Sequence, residues 1–110
     1  MPRYLKGAST ADLREGEPVE ISLEGRSLLV ALVQGQVHAF DAVCSHGAGD
    51  LIDGCLDGYQ ISCPLHDGCF DIRDGHPTRA PAIDPIRCYP VRVDGEDVYV
   101  AVDAESSTPR

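Results

Sequence analysis

The chain has 110 residues, and its 18 acidic side chains against 9 Lys and Arg give a formal net charge of −9 at pH 7. A chain of this length predicts one domain, which buries about 60–65% of the surface that its unfolded chain exposes. The negative charge disfavours nucleic acid, whose phosphates repel carboxylates, and no run of eighteen apolar residues predicts a membrane span. The composition therefore predicts neither nucleic-acid nor membrane partners.

The cysteine count bears on compartment and chemistry. The N-terminal residues contain no apolar stretch of the kind found in secretory signals, so we expect a cytoplasmic protein. Five cysteines, an odd number, in a reducing compartment argue against a disulfide framework and favour metal binding by some of them.

The first forty residues mostly show the alternation of apolar and polar side chains that is typical of β-strands. A short helical turn is predicted over 10–14, with Ser9 or Thr10 as its cap. Strands follow at 19–23, 27–33 and 37–40, separated by turns that contain glycine. The continuous apolar run of 27–33 predicts a strand that is buried on both faces.

The second half predicts shorter strands. Two lie at 59–62 and 70–72, and a hairpin joins 91–93 to 98–102. Segment 76–85 contains three prolines, which exclude a central strand, so we predict a stiff surface loop there. Because no long amphipathic helix is indicated, the sequence predicts a single all-β domain over 1–103, followed by a frayed tail over 104–110.

Two short motifs each combine one cysteine with one histidine: Cys44-Ser45-His46 and Cys63-Pro64-Leu65-His66. Sixteen residues separate them, and each follows a predicted strand. In a Rieske [2Fe–2S] cluster two cysteines hold one iron and two histidines hold the other. The motifs therefore predict one such cluster with four ligands, Cys44, His46, Cys63 and His66.

A zinc site is the alternative, because tetrahedral sites of two cysteines and two histidines are common. Zinc fingers, however, usually pair two cysteines in one knuckle and place both histidines on a helix. Here each motif mixes the two ligand types, and no helix is predicted that could carry such a pair of histidines. The pattern favours the binuclear cluster and leaves zinc open.

Other side chains that could carry chemistry are interpreted as structural. Cys55, Cys69 and Cys88 have no second ligand at a diagnostic spacing, so we expect them to be buried and inert. His38 lies in a predicted strand and His76 in a turn, and both are expected to be ordinary side chains. No glycine-rich nucleotide-binding motif is present.

Negative charge is concentrated around the proposed ligands. Residues 41–74 contain seven aspartates and a single basic residue, Arg73. Such a surface is expected to attract partners that have basic docking faces.

With these motifs, the chain resembles the small Rieske-type ferredoxins of bacterial ring-hydroxylating (aromatic) dioxygenase systems. The resemblance also covers 37–41 before the first motif, 66–71 within and after the second, and 89–102 near the end. It implies an antiparallel sandwich or barrel-like base that carries a small cluster-binding subdomain of two loops, at about 42–75. A proline-containing loop, 77–85, would shield the cluster.

The resemblance implies a one-electron carrier and not an enzyme. It would pass electrons from a flavin-dependent NAD(P)H reductase to a terminal Rieske non-haem iron oxygenase of aromatic hydrocarbon catabolism. A small Rieske subunit of a larger redox enzyme, such as nitrite reductase, is the main alternative. A zinc-stabilised interaction module is the other.

The residues that this chain lacks indicate the kind of Rieske protein. Respiratory members carry an extra cysteine in each ligand loop, at positions held here by Gly49 and Leu65. They also carry a serine and a tyrosine that donate to cluster or ligand sulfur, where this chain has Gly68 and Phe70. Because fewer donors and more nearby carboxylates disfavour an added electron, we expect a potential toward the low end of about −150 to +300 mV.

Overall fold

A computed structural model describes residues 3–43, 50–63, 68–79 and 85–102 of the chain. Two 3₁₀ turns, Thr10–Asp12 and Leu51–Asp53, accompany the strands of this part. In chain order, these strands are β1 (Tyr4–Ser9), β2 (Val19–Leu23), β3 (Arg26–Val33), β4 (Gln36–Asp41), β5 (Leu56–Asp57), β6 (Gln60–Ser62), β7 (Cys69–Asp71), β8 (Pro77–Arg79), β9 (Cys88–Tyr89), β10 (Val91–Asp94) and β11 (Asp97–Ala101).

The strands form three antiparallel sheets. Their strand orders are β1-β11-β10, β2-β3-β4-β9 and β5-β6-β7-β8. We call the first two the base sheets. We call the third the ligand-bearing sheet, because the second motif, residues 63–66, lies in the connection between its strands β6 and β7. The all-β prediction is confirmed, and no helix in the described part is long and apolar enough to cross a membrane.

We call the sheet β2-β3-β4-β9 the central sheet. Its longest strand, β3, is buried on both faces because it is apolar on both. In β3 the side chains alternate between two hydrophobic clusters. On one face, Leu28 and Val30 pack in a cluster with Val98 and Val100 of β11, which we call the base cluster. On the other face, Leu29 and Ala31 pack in a cluster with Ile61 and Phe70 of the ligand-bearing sheet, which we call the junction cluster. The prediction of a strand buried on both faces is confirmed.

The ligand-bearing sheet has strands of only two or three residues. Its inner face presents Ile61 of β6 and Phe70 of β7, directly opposite one another and fully buried. Its attachment to the base sheets therefore rests on a few large apolar side chains in the junction cluster.

Most predicted strands agree with the structure to within one residue at each end. The predicted helical turn is the first 3₁₀ turn, where Ser9 Oγ accepts a hydrogen bond from Ala11 N at 3.3 Å. Strands β1, β5 and β9 were not predicted. Gly7 interrupts the pattern of β1, yet it lies where an added Cβ would be 2.7 Å from Ile21 Cδ1, so glycine permits close packing there.

The prediction for the proline-rich segment is wrong in part. We predicted a loop over 76–85, but Pro77–Arg79 form the edge strand β8, paired with β7. Proline is compatible with the first residue of an edge strand, where its missing N–H leaves no ladder bond unmade. Residues 80–84 of the segment and the tail predicted over 104–110 lie outside the described residues.

Candidate metal centre

The first predicted ligand loop begins and ends at one isolated backbone bridge, just beyond the end of β4. Val43 and Asp50 form an antiparallel bridge on either side of residues 44–49. Next to it, Leu51 N donates to Ala42 O at 2.7 Å. These backbone contacts close the base of the loop that contains Cys44 and His46.

The second ligand loop is closed in the same way. Cys63 N donates to Gly68 O at 2.7 Å, around residues 64–67. One step further back, Ser62 of β6 lies opposite Cys69 of β7. The loop that contains His66 is therefore the tip of a hairpin whose two strands keep a regular register.

Of the four predicted ligands, only Cys63 belongs to the described residues. It is 1% exposed and is not part of a disulfide. A buried thiol at the base of the second loop suits a ligand to iron, because sulfur is a soft donor. Cys44, His46 and His66 lie outside the described part of the chain, so the ligand set stays a prediction.

The bases of the two loops share the junction cluster. Ala42 and Leu51 lie at the base of the first loop and Cys63 at the base of the second, and all three belong to that cluster. Each is no more than 1% exposed. The two loops therefore arise from one buried layer, as a shared metal centre requires.

The residues that directly follow the proline-rich segment are fixed by backbone hydrogen bonds to Gly75 and Asp41. Ile86 N donates to Gly75 O at 3.0 Å, and Asp41 N donates to Arg87 O at 2.9 Å. Gly75 has a φ of +81°, and a Cβ there would lie 1.9 Å from Ile86 O. Glycine is required at this position because both the backbone conformation and the contact exclude a side chain.

A hydrogen-bonded network holds the end of β4. Asp41 Oδ1 accepts from Tyr89 Oη at 2.5 Å, and Asp41 Oδ2 accepts from Arg87 N at 3.2 Å. Tyr89 Oη accepts in turn from Arg26 Nη1 at 3.0 Å. Burial and the Asp41 carboxylate raise the pKa of Tyr89, which therefore keeps its proton and donates. Sequence reasoning missed this network, although Asp41 stands only three residues before Cys44.

A second polar contact joins the central sheet to the ligand-bearing sheet. The ring of His38 on β4 meets the ring of Tyr59 edge-on at 5.7 Å, and the Arg73 guanidinium lies 4.1 Å from the Tyr59 centroid. Arg73 also binds Asp71 through two nitrogens, at 3.0 and 2.6 Å. Burial, and then the Arg73 charge, lower the pKa of His38, so its ring is neutral at pH 7.

The seven clustered aspartates separate into two groups. Asp41, Asp71 and Asp74 accept hydrogen bonds within the fold. Asp50, Asp53 and Asp57 are exposed, and Asp67 lies outside the described residues. The exposed three, which we call the acidic surface, follow the first ligand loop and lead into the ligand-bearing sheet.

The remaining cysteines divide in a way that the sequence did not indicate. Cys88 is buried, with its Sγ 3.2 Å from Ile72 O, and Cys69 is 8% exposed. Cys55, which we expected to be buried, is exposed. It precedes the short edge strand β5 and lies opposite Ser62, whose hydroxyl bonds to its backbone.

Three comparisons with known proteins agree with this architecture. The family model of the Rieske [2Fe-2S] domain matches residues 4–90. The ferredoxin component of a naphthalene 1,2-dioxygenase system from Pseudomonas aeruginosa is 35% identical over 89% of this chain and 94% of that protein. The ferredoxin component of a p-cumate 2,3-dioxygenase system from Pseudomonas putida is 43% identical over 87% of this chain and 83% of that protein.

Among solved structures, a chain from a complex of reduced oxygenase and oxidised ferredoxin in carbazole 1,9a-dioxygenase superposes with a TM-score of 0.86. It is 33% identical, over 96% of this chain and 97% of that one. These matches decide between the two predicted metal sites in favour of the iron–sulfur cluster. The chain belongs to the Rieske [2Fe–2S] domain family, and it is an electron-transfer protein that holds one Rieske-type cluster.

Proposed function

We propose that Cys44, His46, Cys63 and His66 hold the cluster, with the cysteines on one iron and the histidines on the other. Three observations support this assignment: the mixed motifs, the buried thiol of Cys63, and the shared buried layer beneath both loops. The cluster-binding subdomain would then extend over about 42–75 within one domain of 1–103.

When bound, such a cluster accepts and releases one electron at a time. The chain's part would be to hold it above the buried layer that the bases of the two loops share. Neutral imidazoles on one iron donate less electron density than thiolates, which raises the potential above that of ferredoxins with four cysteine ligands. We assign the rings of His46 and His66 as the exit route for the electron.

The partners we propose are a terminal Rieske oxygenase, which receives the electron, and a flavin-dependent NAD(P)H reductase, which supplies it. The structural relative from a complex of oxygenase and ferredoxin supports the first partner. The acidic surface of Asp50, Asp53 and Asp57 would steer the protein toward basic docking faces. A carrier must release each partner, so we expect a small, wet interface. Such a system would operate in the cytoplasm, where NAD(P)H is available.

The same proposal includes a low potential within the Rieske range of about −150 to +300 mV. Gly68 has no hydroxyl to donate to sulfur, and the ring of Phe70 is buried in the junction cluster without a polar group. Redox titration of the purified protein measures this directly. A value among those of respiratory Rieske proteins would contradict the proposal.

Visible absorption and EPR of the reduced protein test the cofactor and its ligands together. We expect a red-brown protein with an average g-value below that of clusters with four cysteine ligands. Reduction of a terminal oxygenase by the chemically reduced protein then tests the carrier role. A protein that purifies only in a permanent complex would instead support the enzyme-subunit alternative.

A further inference from the structure

Asp41, at the end of β4, hydrogen-bonds to Arg87 and to Tyr89. It is the last residue of β4 and precedes Cys44 by three residues. Three residues of fully extended chain cover at most about 10 Å. Its side chain is half-buried. It therefore stands near the base of the first ligand loop, partly covered by the fold, and is not one of the three exposed residues of the acidic surface.

Both the backbone and the side chain of Asp41 bind Arg87. The Asp41 N–H donates to Arg87 O at 2.9 Å, and Arg87 N donates to Asp41 Oδ2 at 3.2 Å. The preceding residue, Ile86, donates its N–H to Gly75 O, beyond the second ligand hairpin. Residues 86 and 87 therefore link the end of β4 to the turn that follows β7 of the second ligand hairpin, and Asp41 holds one end of that link.

The other carboxylate oxygen fixes the side chain itself. Asp41 Oδ1 accepts from Tyr89 Oη at 2.5 Å, and the hydroxyl accepts from Arg26 at 3.0 Å. Two donors thus converge on two oxygens of one carboxylate. An asparagine side chain has only one acceptor oxygen, so it could accept from either Tyr89 Oη or Arg87 N but not from both. Its NH₂ group would face the other donor, which would be left without an acceptor.

We propose that Asp41 is a positioning residue for the cluster, which holds the base of the first ligand loop against β9 and the residue before it, through Tyr89 and Arg87. This inference rests on the proposed ligand set. With the link in place, the base of the first loop and β9 keep one relative position, and the ligands that the loop would contribute start from a fixed base. Without the link, we expect this base to open more often than the sheet beneath it.

The test uses the cluster-loaded protein and two variants that break the link differently. Asp41→Asn removes an acceptor and a charge, whereas Tyr89→Phe removes only the hydroxyl. We expect both to broaden the EPR signal of the reduced cluster and to speed cluster removal by an iron chelator about fivefold, well below the melting temperature. A change seen in both variants would come from the lost hydrogen bond and not from the lost carboxylate charge, because Tyr89→Phe leaves the charge of the protein unaltered.

Matched controls lie in the distant base sheet. Asp94→Asn removes a charge at the end of β10, and Tyr99→Phe removes a hydroxyl from β11. Both are expected to keep the wild-type EPR signal and chelation rate. The proposal is overturned if the Asp41 and Tyr89 variants melt earlier but match the controls in both readouts, or if Asp41→Asn alone differs. A wild-type protein without a Rieske EPR signal would instead defeat the ligand assignment, and with it this inference.

Discussion

The base sheets and the ligand-bearing sheet are built on different principles. In the base, β3 has eight residues and pairs along its length with β2 and β4, and β1 pairs with β11 at five positions. In the ligand-bearing sheet, β5 and β6 share only two paired positions, and β7 and β8 only two. Backbone ladders and aliphatic burial support the base, whereas the smaller sheet has few of either.

This difference indicates where the cluster contributes to stability. A sheet of such short strands is marginal without additional constraints. In the proposed assignment metal ligation would supply them, because ligands on separate loops would be joined through one centre. We therefore expect the two regions to respond unequally to the same perturbations.

Loss of the cluster should produce the largest contrast. In His66→Ala, we expect amide protection in the ligand-bearing sheet, at Ile61 and Phe70, to fall about a thousandfold, or about 4 kcal/mol. Leu29 and Val100 of the base should lose much less. Hydrogen exchange measured by NMR checks this, and an equal loss in both regions would show that the molecule unfolds as one unit.

Glycine substitutions test the rigidity of the two regions. Gly75→Ala should destabilise the protein by about 2 kcal/mol or more, since a Cβ would meet Ile86 O at 1.9 Å in a left-handed conformation. Gly95→Ala, at the β10–β11 turn, has a φ of +63° and open space, so about 1 kcal/mol is expected. Denaturant unfolding of the cluster-loaded variants measures both. Equal costs would mean that the Ile86 contact relaxes easily.

Charge removal should affect docking and leave the fold unaltered. The triple variant Asp50→Asn, Asp53→Asn and Asp57→Asn should transfer electrons to an oxygenase about three- to tenfold more slowly at low salt. The difference should shrink as salt is added. Glu96→Gln, in the base hairpin, is the control. If the triple variant keeps the wild-type rate, the acidic surface has no role in docking.

The smallest expected effect concerns pH at the junction of the two regions. Because the pKa of folded His38 lies below its ordinary value of 6.5, the unfolded chain binds this proton more readily. The stabilisation is complete above about pH 6.5 and is lost as the pH falls toward the lower folded pKa. When the pH is lowered from 7.5 to 5.5, the Tm of His38→Gln should therefore fall by about 2 °C less than the Tm of the wild type. Calorimetry at the two pH values measures both falls. If the Tm of His38→Gln falls by as much as that of the wild type over this pH range, His38 is not the source of the pH dependence.

How much could be predicted depends on how far apart the interacting residues lie in the chain. The long strands, such as Val19–Leu23 and Arg26–Val33, follow from alternation and apolar runs within a few residues. Strand β5 has only two residues and β8 begins with proline, so neither carries a local signal of its own. Pairing with a neighbour makes them strands.

The all-β class, the Rieske family and a predicted set of four ligands follow from residue types at short spacings, so they can be inferred from the chain alone. Which aspartates are exposed, and that Asp41 meets Tyr89, 48 positions away, become visible only once the sheets are packed together. The tertiary structure also revealed that Gly75 must accommodate the backbone of Ile86. Such contacts depend on how sheets pack against one another, and no pattern of neighbouring residues encodes that packing.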